Sequence, residues 1–298
     1  MKNKKVLIVG TGNIALTHKK SIKKISKKIS ISRVASRNFN QKYLNKNRNF
    51  DFIIICSPAT KHLNDLKLIE KNFKKLNVLI EKPLFDQYKK INTSSLKNRY
   101  FIGYNLRFHP VVDYIKKFTS KKKVFFVNVF CTSFLPDWRK KDYKKSVSAS
   151  KKLGGGVLLE LSHEIDYIYW IFKNLKIDYS FNKKISNLKI NTDDILCMFM
   201  NDKNNITFNV VLNFFSKINN RKIHIDGKDF SLCGDLIKNE LIIKKNYRNI
   251  KKKFGIIDTY YIQNKKILGR RYENLCNLNE GLRTLRLIKK IKLNAKKN

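Results

Sequence analysis

Residues 154–170 read GGGVLLELSHEIDYIYW, and ionisable side chains stand inside an otherwise apolar run. Glu160, His163, Glu164 and Asp166 lie among valine, leucine, isoleucine, tyrosine and tryptophan. Such groups are costly to bury unless paired or put to use. The spacing predicts one helix opened by three glycines, with Glu160, His163, Tyr167 and Trp170 on or near one face. Asp166 follows His163 by one turn and is placed to orient it. A histidine among carboxylates and aromatics gives and takes protons near neutral pH. Taken alone, the stretch reads equally as a buried histidine satisfied by its own helix.

A second set of residues suits a nucleotide. VLIVGTGNIALTH sets Gly10-x-Gly12-x-x-Ala15 at a strand-to-helix turn. Glycines let the backbone approach a pyrophosphate, whose charge sits on the helix N-terminus, so Gly10, Gly12, Asn13 and Ile14 are candidate dinucleotide contacts. The carboxylate expected about 20 residues on, for the adenosine ribose, is missing: the first acidic residue is Asp51. Ser36 and Arg37 stand at the end of the second strand instead. A hydroxyl followed by a guanidinium suits a 2′-phosphate, which points to NADP in preference to NAD. The alternative is that Arg37 is one more basic residue in a basic chain. Ser57, Pro58 and His62 follow the third strand, and Glu81-Lys82-Pro83 ends the fourth. Such strand ends are where parallel sheets hold ligands.

The elements that must position these groups alternate over the first half. Strands are predicted at 6–10, 31–36, 52–57, 77–82 and 100–105, with helices at 13–28, 40–47, 60–75 and 85–97. Continuous apolar strands between helices predict an α/β, doubly wound parallel sheet of Rossmann type. The second half predicts strands at 122–133, 176–187, 193–201, 205–216, 221–226, 229–234 and 236–245. That run implies an α/β domain with a large open, mostly antiparallel sheet, on which the helix of 154–170 packs. A helix over 278–293 closes the chain. The expected division is 1–108 for nucleotide binding and 109–298 for substrate binding and oligomerisation.

With 298 residues, 42% of them hydrophobic, the chain can fill real cores. No apolar run reaches the roughly 18 residues of a membrane span, and the N-terminal apolar run is too short for a secretory signal, so no membrane partner is expected. Five singly placed cysteines lack zinc spacing and read as small buried hydrophobes of a cytoplasmic protein. No metal site is indicated. The net charge of +43 is spread over nearly every segment without interleaved base-stacking aromatics, which argues against a specific nucleic-acid partner.

In their order, GTGNIALTH, CSPATKH, EKP, GYNLRFHP (103–110) and GGGVLLELSHEID resemble the Gfo/Idh/MocA oxidoreductases, the family of glucose–fructose oxidoreductase and inositol dehydrogenase, over nearly the whole length. The resemblance implies hydride transfer between nicotinamide C4 and a sugar, cyclitol or nucleotide-sugar carbon, in surface-polysaccharide synthesis. Lys82 matches the lysine at the reacting oxygen and His163 the general acid/base. Asp166 matches the carboxylate three residues later, and Asn105 and Arg107 the polar positions near nicotinamide and substrate. Many members carry an aspartate four residues before the histidine. Leu159 stands there, and Glu160 is the candidate substitute. Trp138 and Arg139 are candidate substrate-wall residues, a surface loop ordered by Trp138 being the other reading. A homo-oligomer through the C-terminal sheet is also implied. A non-catalytic nucleotide-binding regulator and an imine or enone reductase are the rival readings of the same fold.

Overall fold

The structure is a computed structural model describing residues 4–138 and 142–297. Its strands are β1 (Lys5–Val9), β2 (Ser30–Val34), β3 (Phe52–Ile55), β4 (Asn77–Ile80), β5 (Arg99–Ile102), β6 (Val124–Phe134), β7 (Lys176–Lys183), β8 (Ile195–Asn201), β9 (Thr207–Asn213), β10 (Phe215–Gly227), β11 (Phe230–Asp235), β12 (Glu240–Lys245), β13 (Arg248–Lys253) and β14 (Cys276–Asn277). Its helices are α1 (Asn13–Ile25), α2 (Gln41–Lys46), α3 (Ala59–Asn72), α4 (Pro110–Thr119), α5 (Val157–Glu160), α6 (Ser162–Phe172), α7 (Thr259–Leu268) and α8 (Leu278–Asn294).

The chain forms two compact units. One is the chain up to Phe108 with Asp258–Leu285; the other is His109–Ile257 with the chain from Arg286 on. The expected second domain of 109–298 therefore differs in one respect: residues 258–285 belong to the first unit. The physical reason lies in their contacts there. Ile267, Leu268 and Leu275 join the core of Val6, Ile8, Phe52, Ile54, Leu79 and Phe101, and β14 pairs antiparallel with β5.

In the first unit the described strands run β14-β5-β4-β3-β1-β2, parallel except for β14. Val6 to Val9 and Phe52 to Ile55 are buried throughout, as a parallel sheet covered on both faces requires. The helix expected at 85–97 is absent. Asn92 Oδ1 accepts from the Ser94 N–H and hydroxyl, and the Ser95 hydroxyl donates to the Asn92 carbonyl. These local bonds compete with a helical ladder.

In the second unit the order is β13-β12-β11-β10-β6-β9-β8-β7, antiparallel except for the parallel β6–β9 pair. Its strands alternate. Val127, Val129, Leu196, Met198, Phe208, Val210, Ile223 and Ile225 are buried, and their neighbours Phe130, Phe199 and Ile242 stand on the open face. The β12–β13 hairpin turns at Asn246 and Tyr247, both at positive φ, the geometry that matches strand twist. The chain reverses between β10 and β11 at Lys228 and Asp229.

Candidate functional site

Gly10 ends β1, where its N–H donates to the Val34 carbonyl at 2.8 Å. Its φ is +132°, and a Cβ there would lie 2.7 Å from the Cys56 carbonyl oxygen. Only glycine lets the ends of β1 and β3 meet this closely. The strand order reverses at this pair, with β2 to one side of β1 and β3 to the other, and such switch points open ligand crevices. Gly12 caps α1 with no side-chain bond, and the first turn holds no acidic residue. A Cβ on Gly12 would meet nothing within 4 Å. The first N–H groups of α1, beginning at Asn13 and Ile14, carry the positive end of the helix dipole. Ser36 follows β2 in a single 3₁₀ turn. Its hydroxyl is buried without a hydrogen-bond partner among the described residues, and Arg37 beside it is exposed. Asp51 is occupied by the Lys5 N–H at 2.7 Å. An open glycine turn and an unsatisfied hydroxyl at the end of β2 fit a dinucleotide.

The turns after β3 and β4 are tied together. The Ser57 hydroxyl donates to Asp65 Oδ2 at 2.6 Å. Burial pushes the Asp65 carboxyl up to about 6, against the opposing Ser57 and Lys61. Pro58 caps α3. His62 Nε2 lies 2.7 Å from the Ser57 carbonyl, and Nδ1 lies 3.1 Å from the carbonyls of both Pro83 and Leu84. Burial lowers its pKa, opposed by those carbonyls. His62, expected as a cofactor contact, is buried with its ring nitrogens against carbonyls of both turns. Lys82 is half-buried and joined to Pro83 by a cis peptide bond.

Glu81, expected at the cofactor, is also buried. Its carboxylate accepts from His18 Nε2 at 2.8 Å and from the Lys82 N–H at 3.2 Å. Asn105 is buried, with its amide donating to the Thr259 hydroxyl at 2.9 Å. Arg107, expected at the substrate, is buried and paired with Glu280 at 3.1 Å. Glu280 also accepts from the Asn277 N–H while Asn277 Oδ1 accepts from the Glu280 N–H, a reciprocal cap that opens α8.

In the second unit the glycine run is a built turn. Gly154 and Gly156 have φ of 81° and 112°, and a Cβ on Gly156 would lie 2.3 Å from Asp193 Oδ1. Asp193 supplies the cap that glycine lacks. Its carboxylate accepts from the Leu158 N–H at 3.0 Å and its carbonyl from the Val157 N–H at 2.9 Å. The single helix expected here is two: α5 ends at Glu160, Leu161 turns, and α6 starts at Ser162. No residue there is a helix breaker. Asp193 anchors the start of α5 and Arg221 binds Glu164 of α6. His163 and Asp166 are buried in α6, and Glu160 is half-buried at the end of α5.

One tie of α6 escaped the sequence reading. Glu164 is fully buried and accepts from Arg221 Nε on β10 at 2.7 Å. Cys131 on β6 is the ladder partner of Arg221 on β10. Burial first, and Glu164 next, push the Cys131 thiol and the Tyr167 hydroxyl up in pKa. Trp138 is held by the Ser133 hydroxyl at 3.0 Å and by the Phe214 ring at 5.1 Å. Arg139 lies outside the described residues. No group of three His, Cys, Asp or Glu among the described residues could hold a metal ion. His18, Asn264, Arg221 and Glu280 were missed. Their partners lie 57 to 246 positions away, so no spacing rule marks them.

No protein-family model matches the chain, and no curated protein matches it in sequence. Solved structures do. UDP-N-acetylglucosamine 3-dehydrogenase from Acidithiobacillus ferrooxidans superposes with a TM-score of 0.78 at 14% identity, covering 99% of both chains. The WlbA dehydrogenase from Bordetella pertussis, in complex with NADH and UDP-GlcNAcA, gives 0.78 at 15%, covering 99% of this chain and 97% of that one. Levoglucosan dehydrogenase in complex with NADH gives 0.80 at 13%, covering 99% and 98%. At such identities the likeness is one of fold: this chain has the α/β fold of these sugar and nucleotide-sugar dehydrogenases, a parallel sheet followed by a large, mostly antiparallel one.

Proposed function

We propose that the protein is a nicotinamide-dinucleotide-dependent oxidoreductase acting on a hydroxyl or carbonyl carbon of a sugar, cyclitol or nucleotide sugar. The observation that carries this reading is the open turn at Gly12, set at the switch point of the sheet whose next strand end presents Lys82. The related folds seen with NADH and UDP-GlcNAcA support it.

When bound, the nicotinamide supplies or accepts the hydride. The N–H groups at the start of α1, with Gly10, Gly12, Asn13 and Ile14, hold the pyrophosphate. Ser57 and Pro58 line the neighbouring strand end, and Asn105 serves the nicotinamide side. The ammonium of Lys82 holds the substrate oxygen and stabilises negative charge developing on it. His163 serves as the general acid/base, oriented by Asp166. Glu160 stands in for the family's missing aspartate, and Trp138 with Arg139 walls the substrate. Ser36 and Arg37 favour NADP over NAD, because the end of β2 carries no carboxylate for a free 2′-hydroxyl. The substrate class we favour is an amino sugar, free or nucleotide-linked, in surface-polysaccharide synthesis, made in the cytoplasm by a homo-oligomer.

Fluorescence titration with NADPH and NADH tests the cofactor. NADPH is expected to bind more tightly; tighter NADH would remove the assigned roles of Ser36 and Arg37.

A further inference from the structure

The EKP carboxylate does not face open space. Glu81 is nearly buried beside a fully buried histidine on the helix that starts at the glycine turn. His18 Nε2–H donates to Glu81 Oε1 at 2.8 Å. On its other side, the Asn264 amide on α7 donates to His18 Nδ1 at 3.0 Å and to the Ser21 hydroxyl at 2.9 Å. An amide donor at Nδ1 leaves the ring proton on Nε2, aimed at the carboxylate. The second carboxylate oxygen accepts from the Lys82 backbone N–H. The space for that carboxylate is built: a Cβ on Gly103 would lie 2.7 Å from Glu81 Oε1. Tyr260 closes the histidine edge-on at 5.2 Å.

We propose that Asn264, His18 and Glu81 are positioning residues that couple the helix of the glycine turn to Lys82, fixing the ammonium relative to a bound dinucleotide. This rests on the reading of Lys82 given above. His18 lies a turn and a half into α1, so the hydrogen-bond chain locks the register of that helix to the residue after β4. A buried carboxylate and imidazole are retained only when each is hydrogen-bonded, and here each has its partner. The chain ends on the backbone of Lys82.

Protection of Lys82 from amine acetylation, read by peptide mass spectrometry on the full chain, tests the coupling. The probe is whichever of NADPH and NADH binds more tightly. In the parent, saturating dinucleotide is expected to slow Lys82 acetylation about tenfold. Glu81→Gln keeps the volume and an acceptor for His18, but turns an amide toward the Lys82 N–H. Asn264→Leu removes the donor that sets the His18 proton. In each variant protection is expected to fall below about twofold, while the dinucleotide Kd stays within about threefold. Purely structural glue would lower the thermal midpoint and weaken the Kd together with protection. Undiminished protection in either folded variant overturns the coupling and leaves Lys82 in place. Absence of protection in the parent overturns the reading of Lys82 itself.

Discussion

A methyl group added at Gly10 and one added at Gly12 meet different surroundings. The first runs into the Cys56 carbonyl on a backbone at positive φ, and the second meets open space. Gly10→Ala is therefore expected to destabilise the fold by roughly 2 kcal/mol or more. Gly12→Ala is expected to keep the thermal midpoint and weaken dinucleotide binding about tenfold or more. Calorimetry with and without NADPH checks both. Asp65 gives a pH signature. Its folded pKa of about 6 lies above the ordinary 3.8, so the folded state holds the proton more tightly. Stability from this group falls as pH rises from about 4 to about 6, and the full penalty stands above that. Asp65→Asn removes the penalty and is expected to stabilise the protein by roughly 1–3 kcal/mol at pH 7.5. The gain should vanish below about pH 4; a pH-independent gain would contradict the assignment. The glycines were legible in the sequence because their spacing is local. The roles of His62 and Arg107 were not, because their partners come from Pro83, Leu84 and Glu280.

Among elements, α6 carries the buried Glu164–Arg221 pair. Removing one partner of a buried ion pair is strongly destabilising, because the other charge is left uncompensated. Arg221→Met is expected to cost roughly 3 kcal/mol, and the double variant Glu164→Leu/Arg221→Met distinctly less. A double-mutant cycle in urea measures the coupling; additive losses would show that the pair does not anchor α6. The parallel strands and α1 were readable because apolar runs alternate with an amphipathic helix. The two-helix break at Leu161 was not, since no local breaker marks it. The missed strand β13 is exposed along its length and basic, so it carries no apolar alternation. The return of 258–285 escaped for a related reason. Its few core residues, such as Ile267 and Leu275, find partners more than 150 positions away.

The whole molecule carries 65 basic against 22 acidic residues, and no described helix is long and apolar enough to cross a membrane. Its broad open sheet face keeps Phe130, Phe199 and Ile242 between 37% and 48% exposed, apolar side chains that support the proposed homo-oligomer. Sedimentation is expected to show a dimer or larger, and Phe199→Lys to shift it toward monomer; a monomeric parent would remove the proposal. The central claim is hydride transfer. The direct measurement is incubation of NADPH carrying deuterium at C4 with 3-keto and related nucleotide sugars, followed by mass spectrometry of the sugar. The account expects one deuteron on a sugar carbon. It also expects His163→Ala to bind the dinucleotide normally while transferring deuterium roughly 10²–10⁴-fold more slowly. Unlabelled sugar across the panel despite bound NADPH, or unchanged transfer in the His163→Ala protein, would contradict it.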